Sequence, residues 1–568
     1  MRGKPVSEEP SFTTSRATAA KSADDGRAKG RCHELHNRCC GASDSSTIIR
    51  TVIVAKARRT QQQIRSDDPA GWWRDPVAWV ITALAALLLL VNLGGRALWE
   101  DEAETALLGR SILAHGKPVA SNGINVISQE AGREFGSDYV WRWSPWVQFY
   151  LGAAGLKMFG DSALGARLPF ALLAIPVIPL VYLIGRRAFG SILVARLAAL
   201  ALATSPWFLL QSRQARWEAP AYLLTCIVLL AVFEMERSIA WPVVIAAAGA
   251  ALFYTNYFVA VCLLVSIAAA SPMLRRDRDF LIRLACGLAG AAALSIPGVI
   301  FFHVLGKTGG GQLSALKQFW LYAVQFVTFL APLPLVIIAL FNDRRPATRF
   351  VLATVTALCI ILAFAPWSMF RYLTIAFPIA ALVSGVALAW LMARSRVAGW
   401  IGVALLVCTS ILHQLPLGYM QVEGTEIAQP SISPIASYVQ EMISPPRDAD
   451  VAVVEYLRAH ASPGDTVLAS YGDLLLQFYT RLHVTGGLEG HLPPPSDPEW
   501  IVLRPYYVSP EPGKDFELLK AMDRTIDLRQ YDVATTVPDP ILSGNPDPMF
   551  HLFREDPTAK PLRLLRHR

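Results

Sequence analysis

The sequence contains few charged residues for its length. Of 568 residues, 17% are charged and 53% are hydrophobic, and the mean hydropathy is +0.37. Soluble globular proteins carry about 25% charged residues, so the composition excludes that class. Long apolar segments without charge instead indicate an integral membrane protein.

Other features that the sequence lacks exclude further classes of protein. No apolar segment lies near Met1, so no signal peptide is predicted. The net charge of +8 comes without a nucleic-acid-binding motif, and the basic residues gather at the ends of apolar segments, as membrane orientation requires. The region after residue 417 has no cysteine, which implies no disulfide framework there. No repeat of fixed period is apparent.

Residues 1–70 are polar and lack an apolar period. This pattern predicts a disordered cytoplasmic tail or a start site placed too far upstream. The tail contains ligand-type residues at Cys32, His33, His36, Cys39 and Cys40. Their spacing matches no zinc-binding pattern, so no metal site is predicted there.

Residues 71–417 are predicted to form an all-α membrane domain with about eleven spans. The expected spans are 77–94, 166–184, 193–210, 219–233, 241–254, 258–273, 284–302, 319–341, 350–367, 372–392 and 400–415. Arginines precede the first span and follow alternate spans, which predicts a cytoplasmic N-terminus. An odd number of spans then places the C-terminus on the other face.

The loop 96–163 is the predicted outer catalytic loop. Its segment from Asp101 to Leu113 has apolar residues at helical spacing, which predicts an amphipathic helix along the membrane surface. The acids at the start of that helix are either functional or simple caps of free N–H groups. Residues 144–160 are too short to span comfortably, so we expect a second interfacial helix there.

Residues 418–568 have a soluble composition and predict a small α/β domain outside the membrane. Helices are expected at 451–460, 474–479 and 516–522, and strands at 466–470 and 500–503.

The predicted topology brings acids and bases to one outer face. Such a mixture suits group transfer, in which a carboxylate takes a proton and cations stabilise a phosphate leaving group. The alternative for each arginine is anchoring at lipid headgroups. The candidates are Asp101, Glu102, Glu104, Lys117, Arg133, Arg142, Arg213, Arg216, Glu218, His303, Lys307 and Arg371.

A series of short motifs in the membrane domain resembles a known family. The motifs are Trp99-Glu100-Asp101-Glu102-Ala103, Gly116, Pro145, Phe159-Gly160, Arg167-Leu168-Pro169, Arg186-Arg187-Ala188-Phe189-Gly190, Ser205-Pro206, Ser212-Arg213, Arg216-Trp217-Glu218, Phe370-Arg371-Tyr372-Leu373 and Pro378. In this order they resemble the membrane glycosyltransferases of the C-type superfold. The most similar group contains the protein O-mannosyltransferases, the lipid A aminoarabinose transferases and the rhizobial galacturonosyltransferases.

The resemblance implies transfer of a sugar from a polyprenyl-phosphate carrier to a lipid, glycan or protein acceptor. The reaction would take place on the outer or periplasmic face of a cell membrane, with inversion at the anomeric carbon. Asp101 would be the general base, beside Glu102. Glu218 would be the second acid, at a position where relatives usually have Asp. Arg371 would hold the lipid phosphate.

Many relatives carry a lysine before the proline that begins the second interfacial helix, where this chain has Ser144-Pro145. Arg142 or Lys117 would supply the missing cation, or the phosphate is held differently. The other outer cations, Arg213, Arg216, His303 and Lys307, are further candidates for substrate binding.

Two questions stay open at the level of sequence. The cofactor is unassigned, although Asp101 and Glu218 could together bind a divalent metal ion. A multi-spanning lipid or glycan transporter is the alternative function, and it predicts ionisable groups at mid-span and paired half-repeats. Neither feature is evident in the sequence.

Overall fold

In the computed structural model, all of the described residues lie within Pro69–Arg568. The described residues are 72–130, 132–307, 313–365, 368–414, 433–446, 448–469, 471–486, 497–504, 526–539, 544–548, 551, 553 and 559–568. The predicted tail with its cysteines, the predicted helix 516–522 and the predicted domain boundary near residue 418 lie outside them.

The described part is mainly helical. Up to residue 414 the α-helices are α1 (Pro76–Leu90), α2 (Glu100–His115), α3 (Val147–Phe159), α4 (Ala163–Ala174), α5 (Val177–Phe189), α6 (Ile192–Ala203), α7 (Pro206–Ser212), α8 (Glu218–Glu234), α9 (Ala240–Thr255), α10 (Tyr257–Leu274), α11 (Arg278–Phe301), α12 (Ala315–Gln325), α13 (Leu333–Asn342), α14 (Pro346–Leu362), α15 (Phe377–Arg394), α16 (Arg396–Cys408) and α17 (Ile411–Gln414). A 3-10 turn, Phe370–Tyr372, precedes α15.

Several helical stretches have the length and composition of membrane spans. Four qualify singly, namely Ala163–Phe189, Tyr257–Leu274, Arg278–Phe301 and Phe370–Arg394. Two bent helix pairs raise this number to six, and four shorter apolar helices accompany them. The protein is therefore a multi-pass membrane protein.

Two predicted spans are bent rather than continuous. The segment predicted at 193–210 is divided into α6 and α7, which meet at 63°, and the segment predicted at 319–341 is bent by 97° before α13. Proline begins the second helix of the first pair, and Pro332 immediately precedes the second helix of the other. Proline cannot continue the helical hydrogen bonds of the preceding turn, so each chain changes direction there.

The helix α2, predicted to be amphipathic, is enclosed by other parts of the protein. All of its residues from Glu100 to Gly109 are buried. One side packs on α3, and the C-terminal region covers another side: Arg110 Nη1 donates to the carbonyl oxygen of Phe478 at 2.9 Å. The sequence pattern could not reveal this cover, because it comes from a segment far along the chain.

The C-terminal region contains helices α18 (Pro434–Ile443), α19 (Ala449–His460) and α20 (Asp473–Tyr479) and a five-stranded sheet. The strands are β1 (Thr466–Ala469), β2 (His483–Gly486), β3 (Trp500–Leu503), β4 (Tyr531–Pro538) and β5 (Pro561–His567), in the order β2-β1-β3-β5-β4. β1 pairs in parallel with β2 and β3, whereas β5 is antiparallel to β3 and β4.

One end of the helical bundle is held by ion pairs. Asp75 precedes α1 and accepts hydrogen bonds from Arg196 at 2.9 Å and from the Tyr182 hydroxyl at 2.7 Å. Nearby, Arg187 pairs with Glu234 at 2.8 Å. These arginines belong to the face that the sequence predicts to be cytoplasmic. The loop before α2 begins at the opposite end of α1, so Asp101 lies at the other end of the bundle.

Candidate active site

Three consecutive acids form the first turn of α2. Glu100, Asp101 and Glu102 are each no more than 7% exposed. Successive helical residues are rotated by about 100°, so the three carboxylates point in different directions. Each of them contacts a different part of the chain. All three also lie at the positive end of the helix dipole, which favours negative charge.

Asp101 lies between two arginines from distant parts of the chain. Its Oδ2 accepts a hydrogen bond from Arg371 Nη1 at 2.8 Å and lies 3.0 Å from Arg216 Nη1. Burial alone would raise the pKa of Asp101, but the charges of Arg216 and Arg371 outweigh burial and hold that pKa below its usual value. Asp101 is therefore ionised at neutral pH.

Glu102 is occupied by a different set of donors. Arg167 Nε and Nη2 donate to its two oxygens at 2.8 and 2.6 Å. The N–H groups of Ala215 and Trp99 donate to the same carboxylate at 2.9 and 3.3 Å. Glu102 therefore joins the start of α2 to α4 and to the loop before α8. This arrangement orients the neighbouring Asp101.

Glu104 lies one turn further along α2 and is 8% exposed. The side-chain amide of Gln129 donates to its Oε2 at 2.9 Å. Burial raises the pKa of Glu104 to about 8, against the lowering effect of Arg216. The carboxyl group of Glu104 is therefore mostly protonated at neutral pH and differs in charge from Asp101.

Gln129 is held in place by a loop built around a buried carboxylate. Glu134 accepts hydrogen bonds from the N–H groups of Gln129 and Glu130 at 2.5 and 2.6 Å, and from the Ser128 hydroxyl. A carboxylate that collects several donors fixes the backbone around it. Sequence reasoning missed Gln129 and Glu134, because the loop that carries them has no motif.

The raised pKa of Glu104 makes stability depend on pH. Between its ordinary value of 4.5 and about 8 the folded protein keeps a proton that the unfolded chain has released, so stability falls as the pH rises through this window. Glu104→Gln removes this titration. Its midpoint of thermal unfolding should exceed that of the wild type at pH 8 by several degrees, because a pKa raised from 4.5 to about 8 corresponds to about 4–5 kcal/mol of stability lost by that pH. The two midpoints should coincide near pH 4.5, and a constant difference across the range would contradict the assignment.

Glu218 begins α8 and is 2% exposed. Its Oε2 has no hydrogen-bond partner among the described residues. The charges of Arg216, Arg371 and Asp101 all act on it. The structure therefore brings Glu218 into the same electrostatic cluster as Asp101, as the sequence predicted.

The other predicted cations bind elsewhere in the protein. Arg213 Nη1 donates to the carbonyl oxygens of Leu88, Leu89 and Val91 at 2.8–3.0 Å, which caps the C-terminal end of α1. Arg142 pairs with Asp138 through its two terminal nitrogens, Nη1 and Nη2, at 2.7 and 2.8 Å.

Three further predicted cations have other surroundings. Arg133 pairs with Glu130 at 2.8 Å. Lys117 and His303 are exposed.

Lys307 joins the loop before α3 to the start of α10. Its ammonium group donates to the carbonyl oxygens of Arg142 and Trp143 and lies 3.4 Å from the Tyr257 hydroxyl. Burial lowers its pKa to about 8. These contacts place a cation beside the peptide bond between Trp143 and Ser144.

The C-terminal region reaches the same helix turn through Glu100. The N–H of Leu474 donates to Glu100 Oε1 at 3.3 Å, and the buried Asp473 lies against the same side chain. Burial and the neighbouring Asp473 raise the pKa of Glu100 well above its usual value. Two buried acids therefore meet where α20 contacts α2.

Metal ligands do not cluster in the part of the chain that the structure describes. No group of three or more His, Cys, Asp or Glu side chains there could hold a metal ion. Asp101, one of the two acids that the sequence suggested as ligands, is in contact with two guanidinium groups instead.

Comparison with known proteins bears on the fold. Residues 144–301 match the family model described as dolichyl-phosphate-mannose-protein mannosyltransferase. No curated protein sequence matches the chain. ArnT from Cupriavidus metallidurans bound to undecaprenyl phosphate has a TM-score of 0.54 and 16% identity, over 81% of this chain and 97% of that one. The apo state of the same protein has a TM-score of 0.54 and 17% identity, over 80% and 95%.

These findings agree with the motifs in the membrane domain. ArnT is a glycosyltransferase of the C-type superfold, and its fold extends over most of this chain. The family model covers the helices α3 to α11. The resemblance inferred from the sequence is therefore confirmed, and the chain has the fold of the C-type superfold membrane glycosyltransferases.

Proposed function

We propose that this protein is a glycosyltransferase that moves a sugar from a polyprenyl-phosphate donor to a lipid, glycan or protein acceptor, with inversion. One observation carries the proposal: the Asp101 carboxylate touches two guanidinium groups. A group able to accept a proton and two groups able to hold a phosphate thus meet at one point. ArnT, which shares the fold, was solved with undecaprenyl phosphate bound.

The proposed chemistry is a single displacement. The acceptor hydroxyl oxygen attacks the anomeric carbon on the side opposite the phosphate, and its proton passes to Asp101. The bond between the anomeric carbon and the phosphate oxygen breaks, and polyprenyl phosphate leaves with the electron pair. Arg371 and Arg216 stabilise the negative charge that grows on the phosphate. Attack from the opposite side inverts the anomeric centre.

The other acids have supporting roles in this scheme. Glu102 orients the start of α2 through Arg167. Glu218 is the second acid, and its Oε2, which has no hydrogen-bond partner in the described part of the chain, is available to a second hydroxyl of a substrate. The position of Lys307 beside Ser144 makes it a better candidate than Lys117 for the missing lysine.

We place this site on the non-cytoplasmic face of the cell membrane, which is the inner membrane in a bacterium. The four shorter apolar helices bring the six candidate spans to ten, and α8, at the span predicted for residues 219–233, is the eleventh. The arginines around Asp75 then lie in the cytoplasm. The sheet and helices of the C-terminal region form an α/β domain over the active site.

The direct test uses purified protein in lipid nanodiscs with a panel of undecaprenyl-phosphate-linked hexoses and pentoses. An envelope lipid extract supplies acceptors, and release of undecaprenyl phosphate is measured. We expect release from at least one donor. A transporter would instead move the lipid across a bilayer without releasing it, so movement without release would support the alternative function.

The two arginines also argue against a divalent metal ion at Asp101, a possibility that the sequence left open. A dication bound to Asp101 would be repelled by Arg216 and Arg371, which already contact its Oδ2. We propose that these guanidinium groups supply the positive charge. Turnover in excess EDTA should therefore stay within about twofold of the untreated rate, whereas a loss of about tenfold or more, restored by Mg²⁺ or Mn²⁺, would contradict this role.

A further inference from the structure

The two arginines that hold Asp101 differ in their freedom to move. Arg216 is 9% exposed and makes a second contact with Asp101, to its main-chain oxygen at 3.2 Å. Arg371 is 33% exposed. Besides Asp101, its Nε contacts Met369 Sδ at 3.2 Å, and sulfur is a weak acceptor. Arg216 is thus fixed by two contacts, and Arg371 is the arginine that a ligand could displace.

The backbone that carries Arg371 is itself well held. The carbonyl oxygen of Arg371 accepts a hydrogen bond from the Thr374 hydroxyl at 2.7 Å, and the N–H of Leu373 donates to Phe370 at 2.8 Å. The ring of Tyr372 packs against Phe258, with centroids 4.7 Å apart. A new partner would therefore move the Arg371 side chain rather than the turn.

The position of Arg371 suits a lipid phosphate. It lies at the first turn of the apolar stretch Phe370–Arg394, where the chain enters the membrane. The headgroup of a membrane lipid occupies that depth. A phosphate there offers two or three oxygens to the planar guanidinium fork, and the Asp101 carboxylate engages only one nitrogen of that fork.

We propose that Arg371 is a latch between Asp101 and the donor. In the free protein its guanidinium neutralises Asp101, and the phosphate of a bound donor takes that guanidinium away. Asp101 then keeps only Arg216 and becomes the base for the acceptor hydroxyl. The proposal rests on the function proposed above, because it needs a donor that carries a phosphate.

The latch would couple the two substrates. With one cation removed, Asp101 holds a proton more strongly and is a better base. The acceptor is therefore activated only after the donor has bound. The carboxylate and the phosphate compete for one guanidinium, so the presence of Asp101 weakens binding of the donor.

This competition can be measured without catalysis. The probe is undecaprenyl phosphate, and the readout is its equilibrium binding to the full chain in nanodiscs. Asp101→Asn removes the competing charge, so its Kd should fall by about tenfold, and Arg371→Gln should raise the Kd by at least about tenfold. The double variant should bind as weakly as Arg371→Gln, because the gain from Asp101→Asn acts through Arg371. Tightening that persists in the double variant would contradict the latch.

Asp138 provides a matched control. It pairs with Arg142 in the same outer loop, through two contacts of 2.7 and 2.8 Å. Asp138→Asn should leave the Kd unchanged if Arg371 holds the phosphate. If Asp138→Asn tightens binding and Asp101→Asn does not, Arg142 is the phosphate ligand and the latch is wrong.

The outcomes separate the latch from the proposed function. Absence of saturable binding to the wild type would contradict the proposed donor class. Equal Kd values for the wild type and Asp101→Asn would overturn the latch alone.

Should Asp101→Asn fail to fold, the acid limbs of the wild-type pH profiles decide, because kcat/KM for the donor reports the free enzyme and kcat reports the donor complex. The acid limb of the kcat profile should lie about one pH unit above the acid limb of the kcat/KM profile. If the two limbs coincide, the latch is wrong.

Discussion

Replacing Asp101 with asparagine should lower turnover by about 10²–10⁴-fold, the range typical of a lost general base. Asparagine keeps the shape of the side chain and still accepts a hydrogen bond from Arg371, but it does not take the acceptor proton. The KM for the donor should not rise, because the contacts of Arg371 with the phosphate remain. The measurement is steady-state release of undecaprenyl phosphate from the donor that the wild type uses.

The control for this variant is another ion pair of the outer region. Asp161 accepts a hydrogen bond from Arg110 at 2.9 Å and is largely exposed. Asp161→Asn should retain nearly full turnover, since exposed pairs contribute at most about 1 kcal/mol. If Asp101→Asn also retains full turnover in folded protein, its carboxylate only caps α2 and the proposed mechanism is wrong.

Replacing Arg371 with alanine should impair both binding and catalysis. In the proposed mechanism the guanidinium contacts a phosphate that is present in the ground state and becomes more negative in the transition state. Both the affinity for the donor and kcat therefore depend on this contact. We expect kcat to fall by about 10²–10³-fold, the usual effect of losing one donor at a developing negative charge. The Kd for undecaprenyl phosphate should rise in the same variant.

Arg371→Lys tests the geometry of this contact. Lysine keeps the charge but lacks the planar fork, so its activity should lie between those of the wild type and Arg371→Ala. Loss of folding would appear as a lower midpoint of thermal unfolding in both variants. If Arg371→Ala leaves the Kd for undecaprenyl phosphate unchanged while kcat falls, the phosphate is held by another cation.

The structure brings together only some of the residues that the sequence placed on one face. Asp101 and Glu218 stand in motifs, and the structure places both in one cluster with Arg216 and Arg371. Outer-face location alone could not rank the cations, because it is shared by residues that serve the fold. Arg213 illustrates this, since its guanidinium caps the end of α1. A polar contact is decided by which acceptor lies within about 3 Å, and topology does not reach that precision.

Glu102 and Glu104 show a similar limit to what the sequence could predict. Both are acids in the first turns of one helix, and the sequence named Asp101 rather than either of them as the general base. Their charge depends on partners that come from elsewhere: Arg167 occupies Glu102, while Glu104 faces the amide of Gln129. Burial raises the pKa of Glu104 to about 8, and burial is a property of the assembled fold.

Composition and hydropathy by themselves indicated the membrane class, because apolar segments of that length match the thickness of the bilayer core. The motif order determined the superfold, and the acids after Trp99 marked the start of a helix. Tertiary structure decided which groups meet. Asp101 contacts residues 115 and 270 positions away, and no local pattern encodes such a pairing. Tertiary structure also decided that α2 is buried beneath the C-terminal region, because the residues that cover it lie more than 350 positions later in the chain.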